Sequence, residues 1–122
     1  MNLSELQQRN EKFQEIAYGI TNLLPEKNLL ECTSVIIRSS KRIGLIFPQL
    51  IAAKTEIRFN TVLEKLEEEM DEIVIGLDQI GEGNKKWQVK TLADFIKYGY
   101  DLLSVYSFGC DKIIEKRITE EA

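Results

Sequence analysis

The stretch that decides the fold is VIIRSSKRIGLIFPQLI, residues 35–51, an apolar run interrupted by three basic residues, Arg38, Lys41 and Arg42. Its Val, Ile and Phe residues would suit a β-strand, but Lys-Arg joins the two apolar halves in place of a turn, and no other segment offers a partner strand. The basic residues also interrupt the run well short of the roughly 20 apolar residues of a membrane span. We therefore predict a helix over about residues 27–53.

Heptad spacing is clearest in the third segment of the chain. Seven apolar residues follow one another at alternating steps of four and three, which places them along one seam of a helix of about six turns. Acidic residues fill the positions between them, so this helix buries one face and exposes the other. The seam consists of Phe59, Leu63, Leu66, Met70, Ile73, Leu77 and Ile80.

The fourth and first segments show similar patterns. In the fourth, a seam from Val89 to Ile113 steps by three and four, and a second stripe of Phe95, Leu102 and Val105 widens the apolar arc. In the first, Leu6, Phe13 and Ile20 lie seven apart, which indicates a helix of about twenty residues with a polar outer face.

The breaks between segments carry the residues that end and begin helices. Leu24-Pro25-Glu26-Lys27 ends the first helix, and Thr55 is suited to cap the third through its hydroxyl. Gly81-Glu82-Gly83-Asn84 is expected to end the third helix, with Asn84 capping the next. Inside the second helix, Pro48 is expected to cause a kink near Gly44.

These observations predict an all-α fold in a single domain, residues 1–122. Its four helices are expected at about residues 3–24, 27–53, 55–81 and 85–117. Because short connections make neighbouring helices antiparallel, the arrangement is an up-down-up-down four-helix bundle.

The second helix is apolar in nearly every direction, which is unusual for a bundle helix with one face in solvent. A second copy of the chain would cover the surplus, so we predict a homo-oligomer. The alternative is an exposed apolar patch for a different protein partner. The residues expected at the interface between copies are Ile36, Ile43, Leu45, Ile46, Phe47, Phe95 and Leu102.

Charge is distributed unevenly along the chain, whose formal net charge is −4. Residues 27–60 are basic and residues 61–83 strongly acidic. One interpretation is that the two segments complement each other, within or between chains; the other is a basic surface that binds RNA or DNA. The candidate nucleic-acid-binding residues are Arg38, Lys41, Arg42, Lys54 and Arg58.

Composition narrows the classes of function. The chain has no histidine, which removes the commonest general base and the usual zinc and di-iron ligands. The glutamates of the third helix are spaced to share a face, so a metal-dependent enzyme is a third alternative, but a solvated acidic face is the simpler interpretation. We expect a non-enzymatic protein without a cofactor. Cys32 and Cys110, together with an N-terminus unlike a signal peptide, predict a reducing cytoplasmic location away from membranes.

Several short segments also resemble a known family in order and spacing. They are RSS at 38–40, Ala-x-Lys-Thr at 52–55, EEEMDE at 67–72 and YDLLSVYSF at 100–108. With them, the chain resembles the 23S ribosomal RNA intervening-sequence proteins over about residues 10–115. It departs from that family at Gly44-Leu45-Ile46, where the family has a buried Asn, and at Gly76, where it has an aromatic residue.

The resemblance implies a four-helix bundle assembled as a ring-like homopentamer without enzymatic activity. Similar proteins are the accessory variability proteins of diversity-generating retroelements, which bind nucleic acid and assist a reverse transcriptase. The sequence thus leaves two main hypotheses. One is a small cytosolic assembly or adaptor protein, and the other is an RNA- or DNA-binding accessory protein that uses the basic residues of the second helix.

Overall fold

The computed structural model describes residues 2–24 and 28–121, and within them all regular structure is helical. Helix α1 spans Leu3–Ile20 and is followed by a 3₁₀ turn, Thr21–Leu23; α2 spans Asn28–Ala52, α3 Glu56–Trp87 and α4 Lys90–Glu121. The predicted all-α fold of four mutually packed helices is confirmed. The predicted turn at Pro25-Glu26-Lys27 and the predicted helix start at Lys27 lie outside the described residues.

Capping residues explain where two of the helices begin. The side chain of Asn2 accepts a hydrogen bond from the Glu5 amide (2.9 Å) at the start of α1. Thr55 Oγ1 accepts from the Arg58 amide (3.1 Å) at the start of α3, which confirms the predicted cap. Each bond satisfies one of the amides that an isolated first turn leaves without a partner.

The end of α3 differs from the prediction. Helix α3 continues through Gly81-Glu82-Gly83-Asn84 to Trp87, because neighbouring side chains cover these glycines: a Cβ on Gly83 would meet the Trp87 ring at 2.7 Å. The chain reverses instead at Gln88, which adopts a left-handed conformation (φ 56°, ψ 43°). Asn84 braces this reversal, since its side chain accepts from the Val89 amide (2.9 Å) and donates to the Val89 carbonyl (3.1 Å).

The four helices form a closed cycle in which α1 and α3 each pack against both α2 and α4. Along α2 and α3 the contacts run in opposite directions: Cys32 bonds to Gln79, whereas Arg42 pairs with Glu69. Contacts between α1 and α4 also run in opposite directions, because Phe13 stacks on Phe95 and the earlier Asn10 bonds to Tyr106. Neighbouring helices are therefore antiparallel.

Large aromatic side chains fill the centre of the bundle. Phe13 stacks on Phe95 with ring centroids 5.2 Å apart, and Phe47 of α2 lies 5.9 Å from Tyr106 of α4. All four are buried, and full burial of one such ring stabilises the fold by about 1.5–3 kcal/mol. The predicted seam of α3 lies on the inner face, with Leu63 and Met70 partly buried and its other members fully buried.

Arg117 of α4 lies at the end of the bundle where α2 turns into α3. Its guanidinium donates to the carbonyl of Ala53 (2.8 Å) and lies 4.3 Å from the centroid of the Phe59 ring. These contacts connect α4 to the turn between α2 and α3. Pro48 lies inside α2, which continues to Ala52.

Candidate functional site

All five predicted nucleic-acid-binding residues are exposed, but they form two groups. Arg38, Lys41 and Arg42 occupy one outward-facing turn in the middle of α2. Lys54 and Arg58 lie at the turn into α3, and a helix rises about 1.5 Å per residue, so roughly 15 Å of α2 separates Arg42 from its end. The sequence analysis treated these five residues as one set, whereas the structure separates them into two groups.

An aromatic residue of α1 extends the central basic group. Lys41 Nζ donates to the hydroxyl of Tyr18 (3.0 Å) and lies 5.5 Å from the centroid of its ring. Tyr18 is 53% exposed, so part of its surface remains accessible beside Lys41. Sequence reasoning did not single out Tyr18, because its pairing with Lys41 depends on how α1 and α2 are rotated against each other. We define the basic face as Arg38, Lys41, Arg42 and Tyr18.

One member of the basic face is engaged inside the chain. Arg42 Nη1 pairs with Glu69 Oε1 at 3.2 Å, with the arginine side chain 53% exposed and the glutamate side chain 15% exposed. The second oxygen, Glu69 Oε2, is buried without a hydrogen-bond partner among the described residues. Glu69 therefore holds Arg42 more firmly than an exposed carboxylate would.

The other acidic residues of the middle of α3 remain in solvent. Glu64, Glu67, Glu68, Asp71 and Glu72 are exposed, and among the described residues the pair Arg42–Glu69 is the one ion pair that joins α2 to α3. Within the described part of the chain, the carboxylates do not converge into a group that could hold a metal ion. We define the acidic face as these five residues.

The seven predicted interface residues differ in how deeply they are buried. Five of them, Ile36, Ile43, Phe47, Phe95 and Leu102, are buried in the core of their own chain. In the single chain these five side chains therefore have almost no exposed surface left to offer another copy. Ile46 is half-buried and packs against the core, whereas Leu45 is 69% exposed.

A buried polar cluster crosses the core near the basic face. Asn10 Nδ2 donates to the Ser40 carbonyl (2.7 Å), and Asn10 Oδ1 accepts from the hydroxyls of both Ser40 and Tyr106. Gln14 Nε2 donates to Ser40 Oγ (3.3 Å) at its edge. Burial raises the pKa of Tyr106, whose phenol stays neutral as a donor. The isolated polar position of Asn10 on an otherwise buried face was the signal that sequence reasoning missed.

Both cysteines are buried thiols. Cys32 Sγ donates to Gln79 Oε1 (2.8 Å), and burial raises its pKa. Burial raises the pKa of Cys110 to about 11. Because thiolates rather than thiols are the nucleophiles, neither environment activates a cysteine for catalysis.

Trp87 has Lys85, Lys86 and Lys90 close to it in the sequence, but it has a packing role. Its ring covers Gly83, and the side chain is half-buried against the core. Lys85 pairs with Glu82 (2.8 Å), and Lys90 lies 3.9 Å from Asp94. On the basic face, an exposed aromatic and basic combination is instead formed by Tyr18 and Lys41.

Comparisons of the chain with models of protein families, with curated proteins and with solved structures find no match. Within the described residues, no helix combines the length and the apolar character needed to cross a membrane.

Proposed function

We propose that this chain is a small, non-enzymatic cytosolic assembly or adaptor protein whose copies associate through opposite charges. The basic face of one copy contacts the acidic face of the next. One observation carries this proposal: the two faces lie on adjacent helices, yet among the described residues no ion pair joins them, and the single ion pair between α2 and α3 is Arg42–Glu69, whose carboxylate lies outside the acidic face. Both faces therefore remain available for another chain.

Such an interface joins two different surfaces and is heterologous. Repeating it produces a closed ring when the rotation between copies fits a whole turn. The family resemblance favours a pentameric ring. Leu45, 69% exposed beside Arg42 on α2, supplies apolar area at the contact. This is a smaller apolar contribution than the sequence led us to expect, so charge has the larger role.

The test is light scattering with in-line size exclusion at low and high salt. We expect a mass near a whole multiple of 14.1 kDa that falls as salt screens the faces. The double variants Arg38→Glu/Lys41→Glu and Glu68→Lys/Glu72→Lys should each be monomeric, and mixing them should restore association. Arg42 and Glu69 are left unchanged, because their pairing lies within one chain. A wild-type monomer at micromolar concentration would exclude this proposal.

The second candidate function is RNA or DNA binding by the same basic face, which Tyr18 favours. A ring beside several cations suits single-stranded nucleic acid, whose bases stack on aromatic rings while the backbone meets positive charge. The two functions compete for the same residues, since a basic face covered by another copy is not available to phosphates.

Binding of a fluorescent single-stranded RNA at several salt concentrations tests this alternative. We expect Arg38→Glu/Lys41→Glu to abolish binding, and Tyr18→Ala to weaken it by about 1–3 kcal/mol. The matched control is Lys54→Glu/Arg58→Glu, with the same charge change in the other basic group. If the two double variants lose affinity equally, a specific site on the basic face is refuted.

A further inference from the structure

An apolar groove of about 730 Å³ opens between the start of α1, the end of α2 and the middle of α4. Its lining includes Leu6 of α1, Phe47 of α2, and Val105, Phe108 and Ile113 of α4. Phe108 is 57% exposed, so apolar surface continues to the rim. Grooves of this size between the helices of a bundle are typical of sites for small ligands.

Gly109 keeps the floor of the groove open. A Cβ at this position would lie 3.6 Å from the Phe47 ring, an ordinary contact distance. A larger side chain at Gly109 would therefore occupy the groove. Because Gly109 has no side chain, the edge of the otherwise buried Phe47 ring forms part of the groove floor.

Among the described residues, one ammonium group lines the groove, that of Lys112. Its Nζ lies 5.3 Å from the centroid of Phe108 and 3.4 Å from Glu115 Oε2. The Lys112 and Glu115 side chains are 59% and 66% exposed, so water screens their interaction and a ligand anion can compete for the ammonium. No described carboxylate lines the groove itself.

The other two polar side chains that line the groove, Asn2 and Ser104, each make a hydrogen bond within the chain. Asn2 Oδ1 accepts from the Glu5 amide, and Ser104 Oγ donates to the Tyr100 carbonyl (3.2 Å). Lys112 is therefore the group that would recognise a ligand by charge. Because α1 and α4 are antiparallel, Lys112 lies at the end of the groove where α1 begins.

From these contacts we propose that the groove binds a free anionic amphiphile with an unbranched apolar chain, of the fatty-acid class. The carboxylate lies at the Lys112 ammonium, and the chain follows α4 from Ile113 towards Ser104 over the Phe47 ring. This part of α4 is about 14 Å long, at about 1.5 Å per residue. The site is separate from the basic and acidic faces, so it stands or fails independently of the proposed assembly.

The experiment is isothermal titration of the full chain with laurate below its micellar concentration. We expect one laurate per chain and an affinity that rises about fourfold for each methylene from octanoate to laurate. Dodecyltrimethylammonium, with the same chain and the opposite charge, should bind about tenfold more weakly, since it lacks the charge-assisted bond to Lys112.

Variants locate the site. Lys112→Glu should lower laurate affinity about tenfold and raise that of the cationic amphiphile, whereas Lys116→Glu, the same change nearby on α4 and outside the groove, should alter neither. Gly109→Leu should weaken both ligands by filling the groove, and its unfolding transition, measured in parallel, shows that the variant is folded.

Four outcomes would overturn the proposal. They are many laurates per chain, equal binding of both head-group charges, equal effects of Lys112→Glu and Lys116→Glu, and binding to anionic lipid vesicles without binding of free laurate. The last would identify a membrane-surface contact rather than a ligand site.

Discussion

Asn10 and Ser40 bond to each other twice across the interface of α1 and α2. The Asn10 amide group donates to the Ser40 carbonyl at 2.7 Å, and the Ser40 hydroxyl donates back to the Asn10 carbonyl oxygen. Both residues are buried, and the Tyr106 hydroxyl of α4 bonds to the same oxygen. One side chain thus joins three helices, and because each bond depends on position along the helix, the cluster fixes their register.

Replacing Asn10 with alanine should therefore be strongly destabilising. The change leaves the hydroxyls of Ser40 and Tyr106 buried with fewer partners, and we expect the free energy of unfolding to fall by about 2–3 kcal/mol. Urea unfolding followed by circular dichroism measures this change. Gln14→Ala, at the partly buried edge of the cluster, serves as the control and should cost less than about 1 kcal/mol. Equal losses of unfolding free energy in the two variants would show that the buried bonds of Asn10 stabilise the fold no more than the bond at the edge of the cluster.

Tyr106 should make stability depend on pH in the alkaline range. Burial raises the pKa of Tyr106 in the folded chain, while the unfolded phenol titrates near its ordinary value of about 10. Above that pH the unfolded chain releases a proton that the folded chain retains, so the free energy of unfolding falls as pH rises. Unfolding at pH 8, 9, 10 and 11 should show a steeper fall for the wild type than for Tyr106→Phe. Parallel curves for the two proteins would contradict this assignment.

Gly76 should not tolerate a side chain, although it lies within a helix. A Cβ there would lie 2.7 Å from Ile36 Cγ1 and 3.3 Å from the Cys32 carbonyl oxygen, because α2 approaches α3 closely at this point. We expect Gly76→Ala to lower stability by about 1–3 kcal/mol, the usual cost of overpacking, despite the better helix propensity of alanine.

The matched control for this prediction is Gly19→Ala in α1, where a Cβ would meet nothing within 4 Å. That variant should gain up to about 1 kcal/mol from helix propensity alone. Thermal unfolding of both variants therefore gives shifts of opposite sign. A gain in both would mean that α2 can move away from Gly76 at little cost.

Gln88 should be a site for stabilisation. It is the one non-glycine residue with positive φ among the described residues, and it ends α3 in the left-handed region. Glycine adopts this conformation without the steric cost of a Cβ, about 1 kcal/mol. We expect Gln88→Gly to raise the melting temperature and Gln88→Ala not to raise it. A lower melting temperature for the glycine variant would indicate that contacts of the Gln88 side chain stabilise the fold.

Much of the fold could be predicted from periodicity and capping. The 3–4 spacing from Phe59 to Ile80 identified the buried face of α3, and the Thr55 hydroxyl caps that helix as expected. The Gly81–Asn84 turn could not be excluded from sequence, because its glycines are retained in the helix by tertiary contacts, including the Trp87 ring over Gly83. Turn propensity was overridden there by packing.

Less of the candidate site than of the fold could be predicted from the sequence. One chain buries most of the apolar surface of α2, because α1 and α3 cover this helix from two sides and Phe47 reaches Tyr106 of α4, while the turn with Arg38, Lys41 and Arg42 faces solvent. The position of Tyr18 beside Lys41 and the groove near Lys112 depend on how the helices are rotated against each other and on where they end. A periodic pattern in the sequence specifies neither. The exposure of Arg38 and Lys41, by contrast, follows directly from their charge.

The antiparallel cycle of helices has a consequence for the speed of folding. Each helix packs against the next one in the chain, so most contacts form over short sequence distances, and proteins with such local contacts fold quickly. The contacts between α1 and α4 are the exception, among them the bond between Asn10 and Tyr106, 96 residues apart. Bringing these residues together costs the loop-closure entropy of nearly the whole chain. Docking of α1 onto α4 is therefore the step at which we expect the folding rate to be decided.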